Sequence, residues 1–242
     1  MQQSVNALGP PESSFAPGPT LLLGAPGVGK GTQAKLMMAK FAIPQISTGD
    51  LLRQHRQEQT TLGLMADDLM RRGILVPDDL VNDMVAARLT EADCVRGYIL
   101  DGFPRTLAQA DWLDRHLTDI SQRMPVVAIN VQVNDAVLLR RITGRRICPA
   151  GHIFNIYTQA PRVDGRCDVD GKPLEQRSDD SEQIFEQRMQ TFHAQTAPVI
   201  EHYRAGGRFA EVDGSLSVSQ VSQAIEGALA NFRTDRLAQR GG

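Results

Sequence analysis

The sequence predicts an α/β fold, a parallel sheet covered by helices on both faces with two smaller lobes inserted into it. Short apolar runs alternate with helical patterns along the chain, the pattern of a sheet buried on both sides. The run Leu21-Leu22-Leu23 passes directly into a glycine-rich turn, Gly24-Ala25-Pro26-Gly27-Val28-Gly29-Lys30-Gly31-Thr32. A second run, Tyr98-Ile99-Leu100, ends in Asp101, and in parallel sheets the carboxyl ends of the strands face the ligand crevice.

Composition sets the frame. With 242 residues and 41% hydrophobic content, the chain can bury one good core with room for insertions. A net charge of −2 argues against general nucleic-acid or membrane binding. The sequence offers no stretch of membrane-spanning length and no signal-peptide pattern, so a cytoplasmic monomer is expected. Three cysteines cannot all pair with one another, and a reducing compartment would keep them as thiols or metal ligands.

Residues 1–18, with Gly9-Pro10-Pro11 and Ser13-Ser14, read as a disordered leader. The strand ending at Leu23, the glycine loop and a helix from Thr32 to Phe41 then make a P-loop NTPase-type unit. Gly27, Val28, Gly29, Lys30, Gly31 and Thr32 lie where backbone N–H groups converge on an anion at the positive end of a helix. The expected anion is a nucleotide polyphosphate, with Lys30 reaching its β- and γ-phosphates. Gly31 intervenes between Lys30 and Thr32, so Thr32 supplies the hydroxyl of a Mg2+ shell only if the turn is shortened to match.

Ile43 to Ile46 reads as a short strand, and Ser47-Thr48-Gly49-Asp50 caps a helix to about Glu58. A second helix, Leu62 to Arg72, stops at Gly73, and Ile74 to Pro77 is extended. Residues 47–76 therefore form a small helical lobe attached by two strands, able to move. A helix from Asp78 to about Asp93 turns Leu80, Val81, Met84, Val85 and Leu89 inward. Asp101 suits the Mg2+-bound water near the phosphates; its other role, capping the helix from Thr106 to Leu117, is separated from it by Gly102 to Arg105. Val126 to Val131 is a further buried strand, capped by Asn134 or Asp135 into a helix reaching Gly144.

Arg141 and Arg145 stand four apart at that helix end and can point at one anion. Arg177 and Arg188 bracket Asp179-Asp180, and a long helix is expected from about Ser181 to Ala205, kinked at Pro198. Arginine rows are ordinarily solvated helix faces, but phosphoryl transfer needs cations around three charged oxygens. Arg208 to Asp213 is the last strand, Asp213-Gly214 a turn, and Ser217 caps a helix over Val218 to Asn231. Residues 235–242 are expected to fray.

Five stretches together make the chain resemble the adenylate kinase family in its long-lid form: the Gly24 to Thr32 loop with Gln33, Ser47 to Arg53, Asp101 to Thr106 with Gln109, Gly144-Arg145-Arg146, and Arg177 with Asp179-Asp180 and Arg188. The similarity covers about residues 20 to 230. It implies a core of residues 19–46, 77–145 and 178–234, an NMP-binding lobe at 47–76 and a lid at 146–177. ATP and AMP are the implied partners, with Mg2+ accompanying ATP. The implied acceptor pocket is Thr48, Arg53, Ile74, Val76, Gly102, Arg105, Gln109, Arg177 and Arg188. The implied donor side is the loop with Arg141, Arg145, Ile153, Phe154 and the backbone near Leu216. Lys30, Arg105, Arg145, Arg177 and Arg188 would serve the transferred phosphoryl group.

The resemblance also implies that Gln109, one helical turn after Arg105, reads the adenine edge of the acceptor; relatives that take UMP or CMP tend to carry asparagine where this chain has Thr106. Some relatives hold structural zinc between two lid knuckles. Here Cys167-Asp168-Val169-Asp170 keeps one knuckle, and Cys148-Pro149-Ala150-Gly151 lacks the second cysteine. Cys148, His152, Cys167 and Asp170 are then either a Zn2+ set or a hydrogen-bonded remnant without metal. Two other functions stay open at this point, a GTP:AMP phosphotransferase and a catalytically inactive nucleotide-binding homologue.

Overall fold

The computed structural model describes residues 15–120 and 125–239. Strand β1 (Gly18–Leu23) leads through the glycine turn into α1 (Lys30–Phe41), followed by β2 (Gln45–Ser47), α2 (Thr48–Gln57), α3 (Thr61–Arg71) and α4 (Asp78–Leu89). Next come β3 (Gly97–Asp101), α5 (Leu107–Ile120), β4 (Val127–Gln132), α6 (Asp135–Gly144), β5 (Arg145–Ile147) and β6 (Ile153–Asn155). The chain continues with α7 (Glu182–Thr191), α8 (Ala197–Ala205), β7 (Phe209–Asp213) and α9 (Val218–Gln239). The main sheet runs β2-β3-β1-β4-β7, and every pairing in it is parallel.

Period-two alternation divides the core between the faces of this sheet. Leu21, Leu23, Tyr98, Leu100 and Ala128 pack with α2 to α5 and α8. Leu22, Ile99, Val127, Ile129 and Val131 pack with α1, α6, α7 and α9. The register sets Leu22 beside Asp101, so the loop after β1 and the carboxylate ending β3 emerge side by side. Strands β5 and β6 form a separate antiparallel pair over a small cluster of Cys148, Phe154 and Cys167. Among the described residues no helix is long and apolar enough to cross a membrane.

Several expectations change. The leader does not reach residue 18: Phe15 packs 5.5 Å from Phe41 between ring centroids, and Gly18 pairs with Gly97 in the sheet. Arg233 pins this entry, donating to Pro17 O at 2.6 Å and Pro19 O at 2.9 Å; residues 1–14 lie outside the described residues. Ile74 to Pro77 joins no strand, so β2 is the only strand at the root of the 47–76 segment among the described residues. Helix α4 ends at Leu89, where the Thr90 hydroxyl takes the Ala87 carbonyl at 2.7 Å, a local competitor to helix continuation.

The expected long helix is interrupted by a π turn over Phe192–Thr196, with Pro198 in the first turn of α8. Proline supplies no N–H and its ring collides with the carbonyl four residues back, and the wider turn relieves both. Helix α9 runs on to Gln239, past Asn231 and into the stretch expected to fray; no glycine or proline follows Asn231 until Gly241, and residues 240–242 lie outside the described residues.

Gly63 lets α3 pack tightly on α2: an added Cβ would stand 2.2 Å from the His55 carbonyl. Helix propensity alone would have Gly63→Ala stabilise by up to about 1 kcal/mol. Overpacking against backbone reverses the sign, and a loss of about 2 kcal/mol or more is expected in urea unfolding.

Candidate functional site

One cleft at the carboxyl edge of the sheet, between β1 and its neighbours, collects the expected residues. Gly27 to Thr32, Arg141, Arg145, Ile153, Phe154 and Leu216 line it. Thr48, Arg53, Ile74, Val76, Gly102, Arg105, Gln109, Arg177 and Arg188 line it too, as does Asp101.

The glycine loop is shaped for an anion. Gly29 caps α1 with φ 107°, and a Cβ there would meet nothing within 4 Å; the space belongs to the cleft. Gly24, by contrast, cannot carry a side chain, because its Cβ would stand 2.4 Å from Val131 O. Lys30 Nζ donates to Gly24 O at 2.6 Å and Ala25 O at 3.0 Å. Burial, against the opposing pull of Asp101, brings the Lys30 ammonium down to about 8. A Cβ at Gly31 would sit 3.5 Å from Asp101 Oδ2, so that carboxylate lies against the first turn of α1. Gln45 Nε2 donates to it at 2.8 Å. Burial raises the Asp101 pKa, with Lys30 and Arg105 pulling the other way.

Around the loop stands a group of guanidinium ions with carboxylate partners. Arg145 forms a two-pronged pair with the fully buried Asp180, its Nε 2.8 Å from Oδ2. Arg188 meets Asp179 at 3.0 Å. Arg53 meets Asp50 at 2.5 Å, and Arg177 approaches the same carboxylate at 3.6 Å. Arg105 Nε donates to Gly102 O at 2.7 Å. Burial and the nearby Arg188 push Arg105 down to about 10, and burial with Arg53 and Arg145 brings Arg177 to about 10 as well. Burial also lowers Arg188. Burial opposes the rise at Arg145, but the Asp180 hydrogen bond wins. Burial likewise opposes the shift at Asp50 and Asp179, yet neighbouring arginines outweigh it and hold both below the usual carboxylate range.

Arg141 and Arg145 do not share a helical face as the spacing suggested. Arg145 leaves the helix with ψ 136° and opens β5. Arg141 donates to Val28 O at 3.3 Å and Gly214 O at 3.0 Å, tying the glycine loop to the end of β7. Thr48 donates to Gly102 O at 2.8 Å. Gln109 is already engaged: its Oε1 accepts from Arg105 N and its Nε2 donates to Asp78, each at 2.7 Å. Asp50, Asp78, Gln45 and Lys35, which donates to Gly151 O, escape a reading of the sequence as site residues. Their short-range signals are those of ordinary surface residues.

The thiols of Cys148 and Cys167, one ring nitrogen of His152 and a carboxylate oxygen of Asp170 lie within 4.8 Å of one another. His152 Nδ1 is 3.3 Å from Cys148 Sγ, 3.4 Å from Cys167 Sγ and 3.6 Å from Asp170 Oδ2. Those separations match the ~3.6 Å edge of a tetrahedron built on ordinary zinc–sulfur and zinc–nitrogen distances.

A family model described as adenylate kinase matches residues 22–208. The chain belongs to the adenylate kinase family. Among its curated relatives, the adenylate kinase of Caldicellulosiruptor saccharolyticus is 43% identical over 210 residues, covering 86% of this chain and 97% of that protein. The adenylate kinase of Clostridium novyi is 44% identical over 206 residues, covering 85% and 95%. That of Thermodesulfovibrio yellowstonii is 45% identical over 207 residues, again covering 85% and 95%. Adenylate kinases are nucleoside monophosphate kinases, and the cleft described above lies within the matched region apart from the segment at Gly214 to Val221.

Between about pH 8 and 10.5 Lys30 holds in the unfolded chain a proton that it has released in the folded one, so this group's part in the stability of the nucleotide-free protein rises with pH across that window. Lys30→Met removes that part. The stability of the variant relative to the parent, followed by urea unfolding, should be greatest near pH ~7.5 and shrink toward pH ~9.5; a constant difference contradicts the depressed pKa.

Proposed function

We propose that the protein transfers the terminal phosphoryl group of ATP reversibly to AMP, giving two ADP, and so keeps the adenine nucleotides in balance. The observation that carries this reading is the convergence of the glycine loop with Lys30, Arg105, Arg145, Arg177 and Arg188 on one cleft. A module that only bound a nucleotide would have no use for so many buried cations beyond its loop.

The reaction needs no protein nucleophile. The attacking group is an acceptor phosphate oxygen, largely ionised at neutral pH because its second pKa is about 6. The chain's tasks are alignment, charge and dryness. Gly27 to Thr32 and Lys30 hold the donor phosphates, with Arg141, Ile153, Phe154 and the backbone at Leu216 on the donor nucleoside. Thr48, Arg53, Ile74, Val76, Gly102 and Gln109 hold the acceptor. Arg105, Arg145, Arg177 and Arg188 surround the group in flight, and guanidinium forks suit its equatorial oxygens. Residues 47–76 and 146–177 close over the pair and keep water from competing as acceptor.

Thr32 and Asp101 offer hard oxygen donors beside the loop, a set that fits Mg2+ and its bound water. Held there with ATP, Mg2+ would supply charge neutralisation at the donor phosphates. The Cys148, His152, Cys167 and Asp170 quartet fits a structural Zn2+ by donor chemistry and separation. A cytoplasmic monomer suits the chain: Cys94 is a free thiol, as in reducing compartments, and Cys148 and Cys167 stand with His152 and Asp170 rather than in a disulfide.

A coupled assay is expected to register ADP from ATP plus AMP, and the rates for ATP and GTP at fixed AMP identify the preferred donor; no ADP from ATP plus AMP overturns the assignment. Arg145→Ala and Arg188→Ala should each lower turnover on the order of a thousandfold by loss of transition-state charge. A loss below about tenfold removes that arginine from the mechanism. Elemental analysis should find about one zinc per chain, lost in Cys167→Ser; less than about a tenth of an equivalent removes the metal.

A further inference from the structure

Gln109 is 2% exposed yet lines the cleft, and its amide is held from both sides. Arg105 N–H donates to Oε1 at 2.7 Å, and Nε2 donates to Asp78 Oδ1 at 2.7 Å. Asp78 is held in turn, its Oδ2 accepting from the Thr106 hydroxyl at 2.7 Å, while Thr106 Oγ1 accepts from Gln109 N at 3.1 Å. This closed ring joins the start of α4 to the start of α5.

The ring fixes which way the amide faces. A flipped Gln109 would set its oxygen against the Asp78 carboxylate and its NH2 against the Arg105 N–H, acceptor on acceptor and donor on donor. In the observed orientation one N–H of Nε2 and one lone pair of Oε1 remain for a ligand. That pattern asks for a donor beside an acceptor, which adenine supplies as its 6-amino group next to a ring nitrogen. A 6-oxopurine places a carbonyl acceptor where the amine was, and at N1 an N–H where adenine has a lone pair, and the locked Oε1 cannot turn away from that carbonyl.

We propose that Asp78 is a specificity-determining positioning residue: by locking the Gln109 amide, it makes the acceptor pocket take 6-aminopurine monophosphates and refuse 6-oxopurine ones. This rests on the reading that Gln109 faces the acceptor base. The Asp78 contact is charge-assisted and the stronger of the two locks, and the Arg105 N–H survives its removal.

The test compares kcat/KM for AMP and for IMP, with ATP saturating, in the parent, Asp78→Asn and Gln109→Leu. The asparagine introduced by Asp78→Asn can turn its own amide to present either a donor or an acceptor, so the AMP-over-IMP ratio should fall about tenfold. Gln109→Leu should lose most of the preference. The ratio from one preparation is independent of its folded fraction, and a general structural defect leaves it unmoved; Asp78→Ser serves if the asparagine variant does not accumulate. If Gln109→Leu keeps the parental ratio, the base is not read by Gln109 and the acceptor assignment itself falls. If Gln109→Leu loses the preference while Asp78→Asn shifts it less than about threefold, well short of the loss of a charge-assisted lock, the assignment stands and the role of Asp78 is overturned.

Discussion

The burial of several cations in one cleft is the constraint that the rest of the molecule answers. Burial is the main influence against charge on Lys30, Arg105 and Arg188, and repulsion adds to it: Arg105 and Arg188 act on Lys30, Arg188 on Arg105, and Arg145 and Arg53 on Arg188. Such a group stays together only where anions face it. Asp50, Asp101, Asp179 and Asp180 supply that charge. A polyphosphate carries more negative charge than one carboxylate, so the field of these cations favours its binding.

Holding those charges in place falls to the sheet. Parallel strands with apolar residues on both faces fix the carboxyl edge as a rigid line. From that line the glycine loop leaves β1 and Asp101 leaves β3 in adjacent register. Arg141 fastens the loop to the turn after β7, through Val28 O and Gly214 O. Arg145 hangs from the end of α6 but is oriented by Asp180, just ahead of α7. The charge cluster is thus a property of several elements packed together, and no single element carries it.

Residues 47–76 join the main core through Leu52, Ala66 and Val76, and a few polar contacts, a type that contributes little net stability, link the cleft's margins as well. Lys35 reaches Gly151 O, Arg56 reaches the Ser178 hydroxyl at 3.3 Å, and Arg177 reaches Asp50. The buried cluster under β5 and β6 is Cys148, Phe154 and Cys167, too small a core to hold a lobe by apolar burial. The thiol, imidazole and carboxylate quartet joins its two knuckles instead.

Much of this is legible from residue order. Strand, glycine turn and helix are local patterns, set by periods of about 2 and 3.6 residues and by a backbone that only glycine permits, so β1, its loop and α1 can be read directly. The alternation of apolar runs with helices announces a doubly covered parallel sheet, and the motifs name the residues that line the cleft. What the chain order does not disclose is partnership. Asp180 is 35 residues from Arg145 and Asp78 is 31 from Gln109; such pairings exist only once packing has chosen which loops meet. The same holds for Phe15 against Phe41, for the π turn ahead of Pro198, and for Arg145 leaving its helix. By itself the sequence determined which local shapes and which charges are present, because those follow from neighbours along the chain. Tertiary structure alone decided which charge faces which, because Coulomb attraction and hydrogen bonding depend on distances in space that no spacing encodes.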